Sequence, residues 1–400
     1  MFDLDGFISA YVTKRPRSMF EPDIYDNRER LSDAIAGKSV LVIGGAGSIG
    51  SSFIRAILPF QPSELIIVDA NENALTELTR DLRSSGSSVP DVYLPYPMDY
   101  SSITFQRMFR AYKGFDIVAN FSAHKHVRSE KDIYSVEALL RNNVINAKSL
   151  LDLLESCPPQ IYFCVSTDKA ANPVNIMGAS KRIMEDLIFS YSLSFPVKTA
   201  RFANVAFSNG SLPQGFLERI KQGQPLSAPS DVKRYFVSPQ EAGQICMLSA
   251  MLGADRAIFF PKLEEQQMMT FDRIAEELLT SMGYEIDYCC SDLEAVEKSK
   301  KWKKGMPYPV YFSPSDTSGE KGFEEFYVDG ENVDLEQFRS LGVIKDKQVP
   351  DKSAVIALIT SLDEVFGSVH CSKAEIVNVI SAYLPNFEHI ETGKSLDGKM

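Results

Sequence analysis

The 400-residue sequence has no basic excess, one tryptophan, four histidines and no long apolar run. Its 42 lysines and arginines are outnumbered by 53 aspartates and glutamates, for a formal net charge of −11. A general affinity for nucleic acid or anionic lipid is therefore not expected, because both require a cationic footprint. An anionic small molecule is still admissible, since helix N-termini and a few cations can hold one locally. No stretch approaches the roughly 20 apolar residues that span a bilayer, so membrane insertion is not expected. The opening Met1-Phe2-Asp3-Leu4-Asp5 has no basic stretch leading into an apolar one, so no export signal is expected there. Cys157, Cys164, Cys246, Cys289, Cys290 and Cys371 are scattered, and no Cys/His grouping has zinc-ligand spacing. The adjacent Cys289-Cys290 reads as free thiols rather than a redox pair, no metal site is expected, and the cytoplasm is the expected compartment. No internal repeat or low-complexity segment stands out.

What is present is an ordinary globular composition, 44% hydrophobic and 24% charged, on a chain long enough for more than one structural unit. Residues 1–36 are polar, contain Pro16 and Pro22, and read as an N-terminal arm carrying one short helix. From Ser39 the pattern changes. The run Val40-Leu41-Val42-Ile43 stops at glycines, as a strand buried on both faces does. Similar runs follow at 65–68, 92–94, 117–119, 161–165 and 197–200. Helical patterns lie between them, as at 73–82 and 136–154. Alternating strand and helix predicts a doubly wound parallel sheet over 37–200. Residues 201–345 read as a smaller mixed α/β region, with helices near 213–222, 240–251 and 270–282 and strands near 257–260 and 324–328. Residues 346–400 read as two closing helices, 351–366 and 372–384, and a polar tail beyond Glu391.

The segment Gly44-Gly45-Ala46-Gly47-Ser48-Ile49-Gly50 follows the first strand and opens a helix. Glycine at 44, 47 and 50 lets the backbone turn tightly and approach a pyrophosphate without a Cβ clash. The amides at Ser48 and Ile49 would then face the anion with the helix dipole behind them. Strand, loop and helix stand in the order that a Rossmann-type dinucleotide site requires. Asp69 ends the second strand, where a carboxylate accepts both ribose hydroxyls and repels a 2′-phosphate, so NAD is expected rather than NADP. Asp99, after the third strand, reads either as an adenine contact or as a surface turn.

Further on, Ser166-Thr167-Asp168-Lys169 ends the fifth strand, and Met177-Gly178-Ala179-Ser180-Lys181 opens a helix. Ala123-His124-Lys125-His126-Val127 follows the fourth strand, and Asn143-Val144 lies in the next helix. Arg201-Phe202-Ala203-Asn204-Val205, Arg234-Tyr235-Phe236 and Gly319-Glu320-Lys321 come later. Over about 37–330 these motifs resemble the extended short-chain dehydrogenase/reductase superfamily, and more narrowly its UDP-N-acetylglucosamine 4,6-dehydratases. One position departs: the superfamily's Tyr-x-x-x-Lys reads Met177-x-x-x-Lys181 here, and methionine cannot transfer a proton. The dehydratases that retain configuration at sugar carbon 5 are similar in this respect.

The resemblance implies an internal redox cycle on a UDP-sugar: oxidation at carbon 4, loss of water across carbons 5 and 6, and return of the hydride to carbon 6. It implies Asp168 as the acid at carbon 6 and Lys169 as the base at carbon 5, with the reverse assignment open, and each pKa moved toward neutrality. Thr167 would meet the carbon-4 hydroxyl in place of the missing tyrosine, beside Met177. Lys181 would hold the nicotinamide ribose. Ala123, Lys125 and Asn143 would lie along the cofactor, with Lys125 also in reach of a substrate phosphate. Asn204, Arg234 and Glu320 would bind substrate: sugar amide or phosphate, diphosphate and uridine ribose respectively. His124 and His126 read equally as packing. A homo-oligomer pairing helices at 134–154 and 177–192 is expected.

Overall fold

The structure is a computed structural model that describes residues 2–126, 130–315, 325–368 and 371–390. Six parallel strands follow the apolar runs closely: β1 (Ser39–Ile43), β2 (Glu64–Asp69), β3 (Val92–Pro97), β4 (Ile117–Asn120), β5 (Ile161–Thr167) and β6 (Val197–Phe202). Then come β7 (Asn204–Val205), β8 (Leu226–Pro229), β9 (Lys233–Arg234), β10 (Phe236–Val237) and β11 (Ile258–Pro261). The last five are β12 (Met269–Thr270), β13 (Ile286–Tyr288), β14 (Tyr308–Ser313), β15 (Asn332–Asp334) and β16 (Leu341–Lys345). The main sheet has nine strands in the order β15-β16-β11-β6-β5-β4-β1-β2-β3. Pairing is parallel from β3 to β11, and β16 runs antiparallel to both β11 and β15. Every residue of β4, β6 and β11 is buried, which is why β4 and β11 read as largely apolar rather than alternating, whereas β6 buries Lys198, Thr199 and Arg201 among its apolar residues. The chain leaves β1 for β2 on one side and reaches β4 on the other. That reversal opens a crevice at the carboxyl ends of β1 and β4, the place where doubly wound sheets hold ligands.

The stretch 201–345 contributes in two ways. It supplies β11, β15 and β16 to the main sheet, and it builds a second core around Phe216, Leu226, Ile274, Leu278 and Tyr308. A strand was expected near 324–328. Residue 324 lies outside the described residues, and 325–328 form no strand. Their backbone is engaged by side chains instead: the Phe326 carbonyl accepts from Arg201 at 2.8 Å and the Val328 N–H donates to Glu331 at 3.1 Å.

The first 36 residues hold three α-helices, Leu4–Phe7, Glu21–Asp26 and Arg28–Ile35, rather than one. They bridge both cores: Phe7, Ile8 and Val12 enter the second, while Phe20, Leu31 and Ile35 enter the first. Arg15 fastens this strap by a bidentate contact to the buried Glu241, 2.7 Å to each oxygen. At the other end, helix Lys352–Gly367 packs beside Ile176–Phe189, and Lys373–Tyr383 packs against Lys352–Gly367. Lys352 Nζ meets Glu155 at 2.8 Å and lies 3.6 Å from the Tyr191 ring centre, and Arg141 meets Asp363 at 3.1 Å. Part of the face anticipated for self-pairing is thus covered by the chain's own C-terminal helices. The tail beyond Glu391 lies outside the described residues. Among the described residues, no helix is long and apolar enough to cross a membrane.

Candidate active site

The glycine loop turns where β1 ends. Gly44 sits at φ +71°, and a Cβ there would lie 2.7 Å from the Ser122 amide nitrogen, so the loop after β4 closes against it. A Cβ on Gly50 would lie 2.3 Å from the Gly44 carbonyl oxygen. Gly47 caps the helix Ser48–Ile57 without any side-chain hydrogen bond. Elsewhere in the chain Asn71, Ser102, Asn175 and Ser238 fill that role with their side chains. The Asp69 carboxylate accepts the Ala46 N–H at 3.0 Å and the Asn71 N–H at 2.9 Å, which ties the end of β2 to the loop. Asp99 is exposed and closes a turn on Ser101, while the neighbouring Met98 N–H donates to the Asp69 carbonyl at 3.1 Å. Backbone amides, a close-approach glycine pair and a carboxylate at the end of β2 fit a dinucleotide.

Ala123, His124, Lys125 and His126 follow β4 at the carboxyl end of the sheet. Asn143 is buried and clamps this loop: its Oδ1 accepts the His124 N–H and its Nδ2 donates to the His124 carbonyl, both at 2.9 Å. The same Nδ2 lies 3.0 Å from Ser180 Oγ on the helix Ile176–Phe189. Asn143 stands in a one-turn π-helical stretch, Arg141–Ile145, a local distortion often found at functional sites. Lys125 Nζ lies 3.5 Å from Ser208 Oγ, and the Asn209 N–H donates to Ser48 Oγ at 2.9 Å. The loop after β7 therefore meets both the glycine-loop helix and the segment after β4.

At the end of β5, Thr167, Asp168 and Lys169 form one bonded group. Thr167 Oγ1 donates to Asp168 Oδ1 at 2.8 Å, and Lys169 Nζ reaches the same oxygen at 3.1 Å. Asp168 is buried and the Lys169 side chain is 15% exposed, so the ion pair faces inward. Lys181 is buried one helical turn beyond Met177, and its Nζ donates to the Val165 carbonyl at 3.0 Å. Burial pulls its ammonium down to about 8. The Met177 side chain lies in the main core, and its N–H is accepted by the carboxylate of Glu130 at 2.9 Å.

Asn204 on β7 pairs with Phe236 on β10, and its N–H donates to the Tyr235 carbonyl at 3.0 Å, while Arg234 lies two residues earlier in β9, opposite Met269 of β12. The Asn204 side-chain nitrogen is buried with no protein partner, an orphaned donor of the kind that a ligand oxygen satisfies. Arg234 is buried and donates to the Lys233 carbonyl at 2.9 Å. Glu320 lies outside the described residues. A cavity of about 1380 Å³ opens beyond Asn172 and Pro173, between Arg182, Asp186, Tyr235 and Lys347. Thr167, Asp168 and Lys169 are not part of its lining.

Several residues that shape the site give no sequence signal. Glu130 sits in a polar loop and looks like a surface residue, yet it is 7% exposed. Ser166 Oγ donates to the fully buried Glu185 at 2.7 Å, which in turn pairs with Arg201. Only the position of Arg201 within a motif marks that pair in advance.

Fold and glycine loop together define a Rossmann-type α/β protein. The chain belongs to the family described as polysaccharide biosynthesis protein, which it matches over residues 40–345. It is 27% identical over 361 residues to the probable polysaccharide biosynthesis protein EpsC of Bacillus subtilis, covering 88% of this chain but 58% of that protein. A UDP-N-acetylglucosamine 4,6-dehydratase (inverting) of Campylobacter jejuni is 25% identical over 260 residues, 62% of this chain and 73% of that one. A UDP-glucose 4-epimerase of Rickettsia prowazekii is 26% identical over 254 residues, 61% and 72% of the two chains. Among solved structures, Pen from Bacillus thuringiensis superposes with a TM-score of 0.60 at 21% identity, over 78% of this chain and 90% of that one. DesIV of Streptomyces venezuelae, a dTDP-glucose 4,6-dehydratase solved with NAD, gives 0.51 at 20% identity, over 69% and 88%.

Proposed function

We propose that this chain is an NAD-dependent sugar-nucleotide 4,6-dehydratase acting on UDP-N-acetylglucosamine. The observation that carries the reading is the Thr167–Asp168–Lys169 group, in which a hydroxyl and an amine share one buried carboxylate oxygen. NAD, when bound, supplies the hydride acceptor for carbon 4 and the hydride donor for carbon 6. The residues handle the protons. Thr167 takes the proton of the carbon-4 hydroxyl while passing its own to Asp168. Protonated Asp168 no longer holds Lys169 as an ammonium, so Lys169 releases its ammonium proton to solvent and the free amine removes the proton from carbon 5. Asp168 then gives its proton to the departing carbon-6 hydroxyl, which leaves as water, and Lys169 returns its proton to carbon 5. The proton count closes with one proton lent to solvent, which Lys169 recovers when its ion pair with Asp168 re-forms. Lys181 contributes a buried donor beside the nicotinamide ribose, and Asn204 and Arg234 contribute donors to the sugar amide or phosphates.

An epimerase is the second reading, favoured by relatives such as the Rickettsia enzyme. It needs no acid and base for carbons 5 and 6. The deciding experiment is incubation with UDP-N-acetylglucosamine in deuterium oxide, followed by mass analysis. Loss of one water with deuterium at carbon 5 is the expected result. Epimerisation without water loss would sink the dehydratase reading, and NAD binding without turnover on any UDP-, dTDP- or GDP-sugar would leave a non-catalytic binding protein. Asp168→Asn and Lys169→Met should each still bind NAD while losing dehydration by at least about 100-fold.

A further inference from the structure

We propose that Glu130 and His389 form a clamp by which the C-terminal segment positions the start of the helix that carries Met177 and Lys181. The role of that helix in turnover rests on the dehydratase reading, but the clamp itself does not. Glu130 uses both carboxylate oxygens: Oε1 accepts the Met177 N–H at 2.9 Å, and Oε2 lies 3.4 Å from His389 Nε2. Two further bonds come from the same segment. Lys373 Nζ donates to the Glu130 carbonyl at 3.0 Å, and the Ile390 N–H donates to the Val174 carbonyl at 3.0 Å. Phe387, buried at 6% exposure, anchors the segment, with its ring 5.9 Å from that of His389. Residues 373–390 therefore hold the chain on both sides of the helix cap Asn175, at Val174 and, through Glu130, at Met177.

The placement matters because an α-helix leaves its first N–H groups without internal partners. Here Asn175 takes the Gly178 N–H at 2.7 Å, and Glu130 takes the one at Met177. A carboxylate at this end is also favoured by the helix dipole. Ser180 and Lys181 lie within one turn of the clamped residue, and through them the helix meets Asn143 and the Val165 carbonyl. A slip or rotation of the first turn would move both contacts. Glu130 and His389 are accordingly positioning residues, not members of the reacting group.

The test is hydrogen–deuterium exchange on the full chain without substrate, comparing Glu130→Leu, Glu130→Gln and His389→Leu with the native sequence. Loss of one buried hydrogen bond predicts about tenfold faster exchange of amides in 174–184 for Glu130→Leu, with the helix Ser48–Ile57 unchanged. Glu130→Gln keeps an oxygen for the Met177 N–H and should restore most of the protection, while His389→Leu should fall between. Native exchange over 174–184 in both leucine variants would overturn the clamp. So would uniformly faster exchange throughout the chain, which would mean a global loss of stability. With substrate, the leucine variants should lower kcat while changing KM less than about twofold. If the native protein turns over no sugar nucleotide, the dehydratase reading fails and the exchange result still decides the clamp.

Discussion

Arg201 offers a severe test of the packing beneath the candidate site. Its side chain is fully buried, and its five N–H donors meet five oxygens. Nε and one Nη2 hydrogen go to Glu185 at 3.0 and 2.9 Å, two others go to Glu331 at 3.0 and 3.3 Å, and the fifth goes to the Phe326 carbonyl at 2.8 Å. Burial by itself would push the Glu185 carboxyl up, but the guanidinium holds it below the usual range. Burial acts the same way on Glu331, where Arg201 and Lys347 win and bring it down to about 2. Glu185→Leu strands two donors and removes half of the compensating charge. Breaking a buried pair in this way costs about 3–5 kcal/mol. The double variant Glu185→Leu/Arg201→Met removes the stranded cation as well, and Glu331 still keeps Lys347 at 2.9 Å. It should recover about 2 kcal/mol or more relative to the sum of the single losses. Urea unfolding followed by circular dichroism measures each corner of the cycle. A single Glu185→Leu within about 1 kcal/mol of the native protein, or a double variant no better than additive, would refute the reasoning.

Three further outcomes are expected. Lys181 has a folded-state pKa of about 8, below the ordinary lysine value near 10.4. Its ammonium therefore opposes folding fully below pH 8, and that penalty is relieved as pH rises from about 8 toward 10.4. Where the charge is required, kcat should fall as pH rises through about 8. Lys181→Arg should move that fall upward, and an unchanged alkaline limb would exclude Lys181 as its source. Gly50→Ala places a Cβ 2.3 Å from the Gly44 carbonyl and should weaken NAD binding at least about tenfold in a calorimetric titration; native affinity would show that the loop can yield. Met177→Tyr should give no large gain in turnover, because the side chain at 177 is packed in the core. A large gain in a steady-state assay would show that the hydroxyl of Thr167 is a poor substitute.

The sequence makes the central sheet legible because strands buried on both faces leave apolar runs, as β1, β2, β4 and β5 do, with β1 stopping at glycines; β6 is interrupted by Lys198, Thr199 and Arg201. It hides β7, β9, β10 and β12 because two-residue strands have no period to detect. β15 and β16 were equally hidden, although they extend the main sheet. The N-terminal strap reads as a polar arm because few of its side chains enter a core, and those that do are split between two cores. At the site, residues within compact motifs were visible: the glycine loop with Asp69, and Thr167 with Asp168 and Lys169. Residues that act across long stretches of chain were not. Glu130 and His389 stand 259 positions apart, and Arg201 meets Glu331 across 130. No local spacing announces such partners, since only the folded sheet brings them together.

That division has a chemical consequence. Hidden residues brace visible ones: Glu185 takes the Ser166 hydroxyl one residue before Thr167, and Glu130 takes the Met177 N–H one turn before Lys181. Thr167 and Lys169 converge on a single oxygen of Asp168, so none of the three can change without altering the other two. Their substitutions should be strongly non-additive, with Asp168→Asn alone costing about as much as the triple replacement, as in other groups that act as a unit. Losses in the supporting residues should instead multiply with a partial loss in the trio, because they displace it without dismantling it. If Glu185→Gln and Thr167→Ala together cost no more than Thr167→Ala alone, Glu185 does not support the trio through Ser166.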